Sequence, residues 1–373
     1  MPQIEGLRSS RRPQPARMSC LALVMIARDE ARCIERALRS AAGLVDEMWV
    51  LDTGSVDDTP AMARRCGAQL RHARWTDDFA AARNAALALT DCDWRLVLDA
   101  DEWVGAGAEA LLDWRLDATP RLGLLRVASL VDGGSGGVQQ APSWMPRLLP
   151  RGVQYRGRVH EQPVSELPRQ RLALQLLHDG YLPEPMARKG TRNRRLLERA
   201  LRDDGADPYL QYQLGKDHEV HGRFAEAEPC YAAASAQVGS AAIWRHDLVL
   251  RRLYTLKRLG RFEQAMQLAS DEMAHWAESP DFYFTLGDLL LDWALAQPRQ
   301  AAALLPMIES SWRRALDIGE NPALPDTVRG RGSFLAAHNL AALFEGLGDA
   351  AQARAWRERS AAMRSAEPEL AAR

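Results

Sequence analysis

Trp94-Arg95-Leu96-Val97-Leu98-Asp99-Ala100-Asp101-Glu102 reads as a short apolar strand that runs out directly into carboxylates. Its apolar residues are consecutive rather than alternate, the pattern of a strand covered on both faces. Three more short strands are expected ahead of it. Leu21 to Ile26 reads as a buried strand, Met48 to Leu51 as a second and Ala68 to His72 as a short third. Helical patterns fill the gaps: Glu30 to Ala42, with Ile34, Leu38 and Ala41 on one face; a helix from about Thr59 whose first helical residue is Pro60; and Phe79 to Thr90. Strands alternating with helices of this length predict βαβ units and a parallel sheet, with ligands at the carboxyl ends of the strands.

Two of those ends carry acid. Asp99 and Asp101, one residue apart, can share a hard divalent cation whose other positions go to phosphate oxygens. Taken alone, the same three residues equally describe a solvated acidic turn. The stretch Leu51-Asp52-Thr53-Gly54-Ser55-Val56-Asp57-Asp58-Thr59 also sits at a strand's carboxyl end, so a parallel sheet brings both turns to one crevice. The G-x-x-x-x-G-K-[ST] phosphate loop and the G-x-G-x-x-G dinucleotide turn are absent, as is the glycine-rich basic loop of a nucleotidyltransferase after the first strand.

Beyond Asp101, strands are expected at Gly123 to Leu130 and Val138 to Leu149, joined by the loop Gly133 to Gly137, with the sheet ending near Leu174 to Tyr181. That loop is either a lid or a plain hairpin connection. From about Arg188 the composition turns to Ala, Leu, Arg, Glu and Gln, and it repeats. Leu214-Gly215 is followed by Gly222-Arg223-Phe224, Ala227, Tyr231 and Ala234; then come Gly260-Arg261-Phe262 with Ala265, Leu286-Gly287 with Trp312 and Ala315, and Leu340, Phe344, Gly348-Asp349 and Ala353. Small residues where two antiparallel helices touch, aromatics between them and glycine at the turn resemble the tetratricopeptide repeat. The third unit carries an insertion around Gln297 to Ala303.

Four blocks of the first half occur in a family-like order and spacing: Met25-Ile26-Ala27-Arg28-Asp29-Glu30, Asp52-Thr53-Gly54-Ser55 with Asp57 and Thr59, Phe79-Ala80-Ala81-Ala82-Arg83-Asn84, and Asp99-Ala100-Asp101-Glu102. Together they resemble the family 2 glycosyltransferases of GT-A fold. Arg147-Leu148-Leu149, Tyr155-Arg156-Gly157-Arg158-Val159-His160-Glu161 and His178-Asp179-Gly180-Tyr181 resemble the branch related to bacterial lipopolysaccharide-core transferases and to transferases fused to tetratricopeptide repeats, the glycocin S-glycosyltransferases among them. The resemblance implies an α/β GT-A (Rossmann-like, mainly parallel sheet) domain at 19–183, a linker helix at 184–204, and an all-α repeat domain at 205–373, after a disordered tail at 1–18.

It further implies an inverting transfer of a sugar from a nucleotide sugar, with a UDP-sugar as the expected donor, to a peptide, protein or glycan acceptor. Mn2+ or Mg2+ would bridge the phosphates and neutralise the charge that develops on the leaving group. Asp101 is then the direct metal ligand, and Asp99 contacts the ribose or reaches the metal through water. Asp52 matches the position that bonds the base, with Ala27, Arg28, Glu30 and Asp57 lining the same pocket. Arg83 either steadies the pyrophosphate or pairs with Asp52 or Asp57. His160 is offered as a further metal ligand, Glu161 as general base with Glu102 as its competitor. His178 is either a metal or phosphate contact or a structural hydrogen bond. The repeats would bind the acceptor or a protein partner, and a homodimer stays open. The rival reading is a tetratricopeptide scaffold with a degenerate transferase domain.

Of the 373 residues, 48 are basic and 49 acidic, a net charge of -1 that argues against a nucleic-acid binder. The balance is local cancellation: Asp91 to Glu102 carries an excess of four negative charges and 184–202 an excess of five positive ones. Cys20, Cys33, Cys66, Cys92 and Cys230 are odd in number and widely spaced, so neither a disulfide framework nor a zinc knuckle is expected, and a reducing cytosol fits. No run approaches the ~18–20 apolar residues of a membrane span; the expected location is cytoplasmic, with peripheral attachment to the inner membrane as an alternative.

Overall fold

The computed structural model describes residues 18–132, 138–180, 192–205, 207–240, 242–324 and 327–366. These form two compact units. The first holds the described residues up to Gly180 except 141–143 and 158–160, which belong to the second with the residues from Arg192 to Ala366. The loop Gly133 to Gly137, the tail to Arg17 and the basic residues up to 191 lie outside the described residues.

The first unit begins with the expected alternation: β1 (Leu21–Ala27), α1 (Ile34–Ala41), β2 (Glu47–Asp52), α2 (Thr59–Arg65), β3 (Gln69–His72), α3 (Phe79–Leu87) and β4 (Trp94–Val97). It continues through β5 (Glu102–Val104), α4 (Ala110–Leu116), β6 (Leu122–Asp132), β7 (Val138–Pro150), the β8 (Gln154–Arg156) and β9 (Gln162–Val164) hairpin, and β10 (Arg169–His178). The sheet order is β3-β2-β1-β4-β7-β6-β10-β5. β1 pairs in parallel with β2 and β4, and β2 with β3. β1 uses its period of two fully. Leu21, Leu23 and Met25 join Ile34 and Leu38 of α1 in one core, while Ala22 and Val24 join Ala80, Ala86 and Leu87 of α3 in the other.

Antiparallel pairings modify the expected parallel sheet, and two of them shape the site. β7 lies against β4 with Leu148 opposite Leu96, and β5 lies against β10 with Glu102 opposite His178. β10 also runs parallel to β6, placing His178 opposite Ser129. These registers deliver later side chains to the end of β4.

One expectation is overturned. Cys20 and Cys92 form a disulfide, with Cα atoms 4.8 Å apart. β1 and β4 are sheet neighbours, and Trp94 N donates to Cys20 O, so the residues just before each strand meet across 72 positions of sequence. Spacing along the chain carries no trace of a contact created by strand pairing.

From Arg192 onward the second unit is helical: α5 (Arg192–Asp204), α6 (Pro208–Val220), α7 (Phe224–Gln237), α8 (Arg245–Arg258), α9 (Phe262–Glu272), α10 (Pro280–Ala296), α11 (Ala301–Ile318), α12 (Phe334–Gly346) and α13 (Ala350–Ala366). Asp207 caps α6 by accepting from Tyr209 N, Ser279 caps α10 by accepting from Phe282 N, and a proline follows each cap. From α6 onward the helices pair as antiparallel hairpins. Small residues set how closely they approach. A Cβ on Gly215 would stand 2.5 Å from the Tyr231 ring, and one on Gly287 would stand 2.4 Å from Trp312. The insertion after α10 forms a single 3-10 turn, Pro298–Gln300, leading into α11. Among the described residues no helix is long and apolar enough to cross a membrane.

Candidate active site

The site is built on the turn that leaves β4. Asp99 is held on both oxygens: Arg83 Nη2 donates to Oδ1 at 2.7 Å and Arg147 Nη2 to Oδ2 at 2.7 Å. Arg147, brought alongside by the antiparallel β7, also donates to Glu102 at 2.5 Å, while the second oxygen of Glu102 accepts from Asp99 N at 3.0 Å. Arg83 Nε donates to Glu161. The two guanidinium groups and Glu102 are buried, so each charge depends on these partners. Burial alone would raise the Asp99 carboxyl, but Arg147 and Arg83 outweigh it and hold Asp99 well below the usual carboxylate range. Burial pushes Glu102 the other way, upward. Glu102 therefore braces the turn from inside.

Asp101 is placed differently. Its Oδ2 lies 3.4 Å from His178 Nε2, and both residues are largely buried. Ser129 Oγ is 3.1 Å from His178 Nδ1, which fixes the ring's orientation from behind. One carboxylate oxygen and one imidazole nitrogen this close suit a divalent cation that accepts both, Mn2+ more readily than Mg2+. Three buried polar atoms of this cluster, Arg83 Nη1, Arg147 Nε and the Tyr155 hydroxyl, have no hydrogen-bond partner among the described residues.

The loops after β1 and β2 are stitched together by their acids. Asp29, with φ 57°, accepts from Val56 N at 2.8 Å, while its own N donates to Ser55 Oγ at 2.9 Å. Glu30 N donates to Thr59 Oγ1 and Ala31 N to Asp57 Oδ2. Asp57 is thus a brace between loops, and its bonds with Thr59 hold its carboxyl low against the effect of burial. Asp52 is buried at the end of β2; Ala27 is buried and Arg28 is about half exposed. Arg83 pairs with Asp99 and Glu161, not with Asp52 or Asp57. His160, exposed and with φ 53°, belongs to the helical unit.

Residues 22–109 match the model of Glycosyl transferase family 2. A tetratricopeptide repeat-containing protein of Synechococcus elongatus is 33% identical over 321 residues, covering 78% of this chain and 77% of that protein. The chain belongs to the family 2 glycosyltransferases that carry tetratricopeptide repeats. This glycosyltransferase is also 26% identical over 210 residues to the glycosyltransferase SunS from the SPbeta prophage of Bacillus subtilis, over 52% of this chain and 48% of that one. It therefore spans about half the length of that relative. The structure of glucosyl-3-phosphoglycerate synthase from Mycobacterium tuberculosis, solved with Mn2+, UDP and glucosyl-3-phosphoglycerate, aligns at 26% identity over 31% of this chain and 45% of that one, with a TM-score of 0.26.

Two groups of the transferase site have no assigned role in the sequence reading. Arg147 is one; its sign is a charged residue directly ahead of the apolar pair Leu148-Leu149. The other is Asp179, beside His178, which accepts from Arg32 at 2.9 and 3.1 Å and from Arg36 at 2.5 Å. Arg36 in turn lies 3.6 Å over the Trp103 ring, so this cluster ties α1 to the ends of β10 and β5.

Proposed function

We propose that the first unit transfers a sugar, with inversion, from a nucleoside diphosphate sugar, UDP-sugars foremost, to a hydroxyl or thiol of a peptide, protein or glycan acceptor. The observation that carries this reading is the Asp101–His178 pair at 3.4 Å on the carboxyl edge of the sheet. Asp101 and His178 would hold a divalent cation; His178 takes the imidazole role offered to His160 in the sequence. When bound, the cation neutralises charge developing on the departing diphosphate. Asp99, clamped by Arg83 and Arg147, is a fixed anion facing ribose or a metal-bound water. Glu161 accepts the acceptor's proton as its oxygen or sulfur attacks the anomeric carbon and the nucleoside diphosphate leaves with the bond pair. Glu161 is held by Arg83 as Glu102 is by Arg147, and Glu102 is the competing base candidate. The domain boundaries at 183 and 204 and an acceptor-binding role for the repeats belong to the same reading.

The test is release of nucleoside diphosphate from sugar nucleotides with Mn2+. Asp101→Ala is expected to lower the rate by about 10²–10³, the scale of losing one preorganised electrostatic contact. Undiminished release would sink the metal assignment. Deleting 205–373 should impair transfer to acceptor more than donor hydrolysis; equal losses would make the repeats merely structural.

A further inference from the structure

Asp52 matches the family position that bonds the base, yet its carboxylate is occupied. The residue is 2% exposed and accepts from Gly54 N at 3.3 Å, Ser55 N at 3.3 Å and Ser55 Oγ at 2.5 Å, all within its own loop. One partner lies outside that loop. The β2–β3 register sets Asp52 beside His72, and Asp52 Oδ2 is 3.1 Å from His72 Nδ1. The His72 side chain is 58% exposed.

This contact defines the ring. Burial would raise the Asp52 carboxyl, but its bonds with Ser55 and His72 hold it below the usual value, so it is ionised and can only accept. Nδ1 therefore donates to Asp52, and in the neutral ring Nε2 is the acceptor. Arg64 Nη2, an obligate donor, stands 3.5 Å from Nε2, at the outer limit of a hydrogen bond. Both residues sit at carboxyl ends of parallel strands, where an α/β sheet binds its ligand.

We propose that His72, oriented by Asp52, reads the donor's nucleobase through Nε2 and selects uracil or thymine over cytosine. Uracil presents an N3–H that Nε2 accepts. Cytosine presents a lone pair at N3, so lone pair faces lone pair and no hydrogen bond forms. The inference rests on the reading above that this crevice takes a nucleoside diphosphate.

Titration calorimetry with UDP and CDP in Mn2+ tests it. Wild type should bind UDP about tenfold more tightly, the scale of one net hydrogen bond. His72→Ala should bring the two affinities together, and a cooperative thermal transition shows that the variant still folds. An undiminished UDP preference in His72→Ala, or none in wild type, would overturn the assignment. Wild type that binds neither nucleotide would overturn the nucleotide reading itself, and this proposal with it. Nitrogen NMR of His72 gives an independent readout. The Nδ1–H tautomer is expected in the free protein, with Nε2 shifting on addition of UDP; an Nε2–H tautomer would overturn the proposal.

Discussion

In the first unit the side chains that organise the interior of the site are charged and buried, whereas in the helical unit the corresponding positions are glycines pressed against aromatic rings. Asp99, Glu102, Arg83 and Arg147 hold one another by charge at the end of β4. Gly215 and Gly287 let their hairpins close by shape, under Tyr231 and Trp312. A charge network fixes where each group sits, at a desolvation cost that packed apolar residues avoid. A transferase site needs that placement. A stack of hairpins needs only close contact repeated from unit to unit.

Arg147→Met strikes the charged side hardest. It strands Glu102 and leaves Asp99 to Arg83 alone, and should cost the first unit about 3–5 kcal/mol, the usual penalty for removing one partner of a buried ion pair. Denaturant unfolding followed by hydrogen exchange should show the loss in β4 and β7 while α10 and α11 keep their protection; equal loss in both units would erase the contrast. Gly287→Ala is the matching strike on the helical side. Its Cβ meets the Trp312 indole, and overpacking of this kind costs about 1–3 kcal/mol, read as lost protection in α10 and α11.

The smallest effect tests an acid of the repeats whose carboxyl is raised rather than lowered. Burial pushes the Asp288 carboxyl up to about 6. Its folded value lies above the unfolded one, so its contribution to stability is complete below about pH 4 and is lost as pH rises through 6. Asp288→Asn, which keeps an oxygen for Asn339 Nδ2, should stabilise the helical unit by about 1–2 kcal/mol at pH 7.5 and by nothing at pH 4. Thermal unfolding at the two pH values checks this, and a variant less stable than wild type at pH 7.5 would show that the ionised form is the favoured partner of Lys257 and Arg331.

How much of this could be read beforehand follows from the kind of contact involved. β1, β2 and β4 were legible because a strand buried on both faces writes an uninterrupted apolar run; β3 is largely exposed and writes none, yet for all four the observed ends fall within two residues of the expected ones. Helices α1 and α3 were expected several residues too long, since Glu30 and Ala31 are used to tie the loops through Thr59 and Asp57 instead. β5, α4 and the β8–β9 hairpin left no pattern because segments of 3 to 7 residues are too short to show a period. Asp99 and Asp101 were legible as a pair by spacing. Their different surroundings were not, because Arg147 and His178 arrive through strand registers that have no signature in one sequence.

The antiparallel placement of β7 also bears on how the chain is made. Asp99 leaves the ribosome 48 residues ahead of Arg147, the second of its two guanidinium partners. At ordinary synthesis rates that interval is on the order of 2–10 s, during which β1 to β4 are present but Arg83 alone holds the acidic turn. The stretch bearing most of the family motifs is therefore not a self-sufficient piece of the enzyme. It waits, partly assembled, for a strand that carries hardly any motif at all.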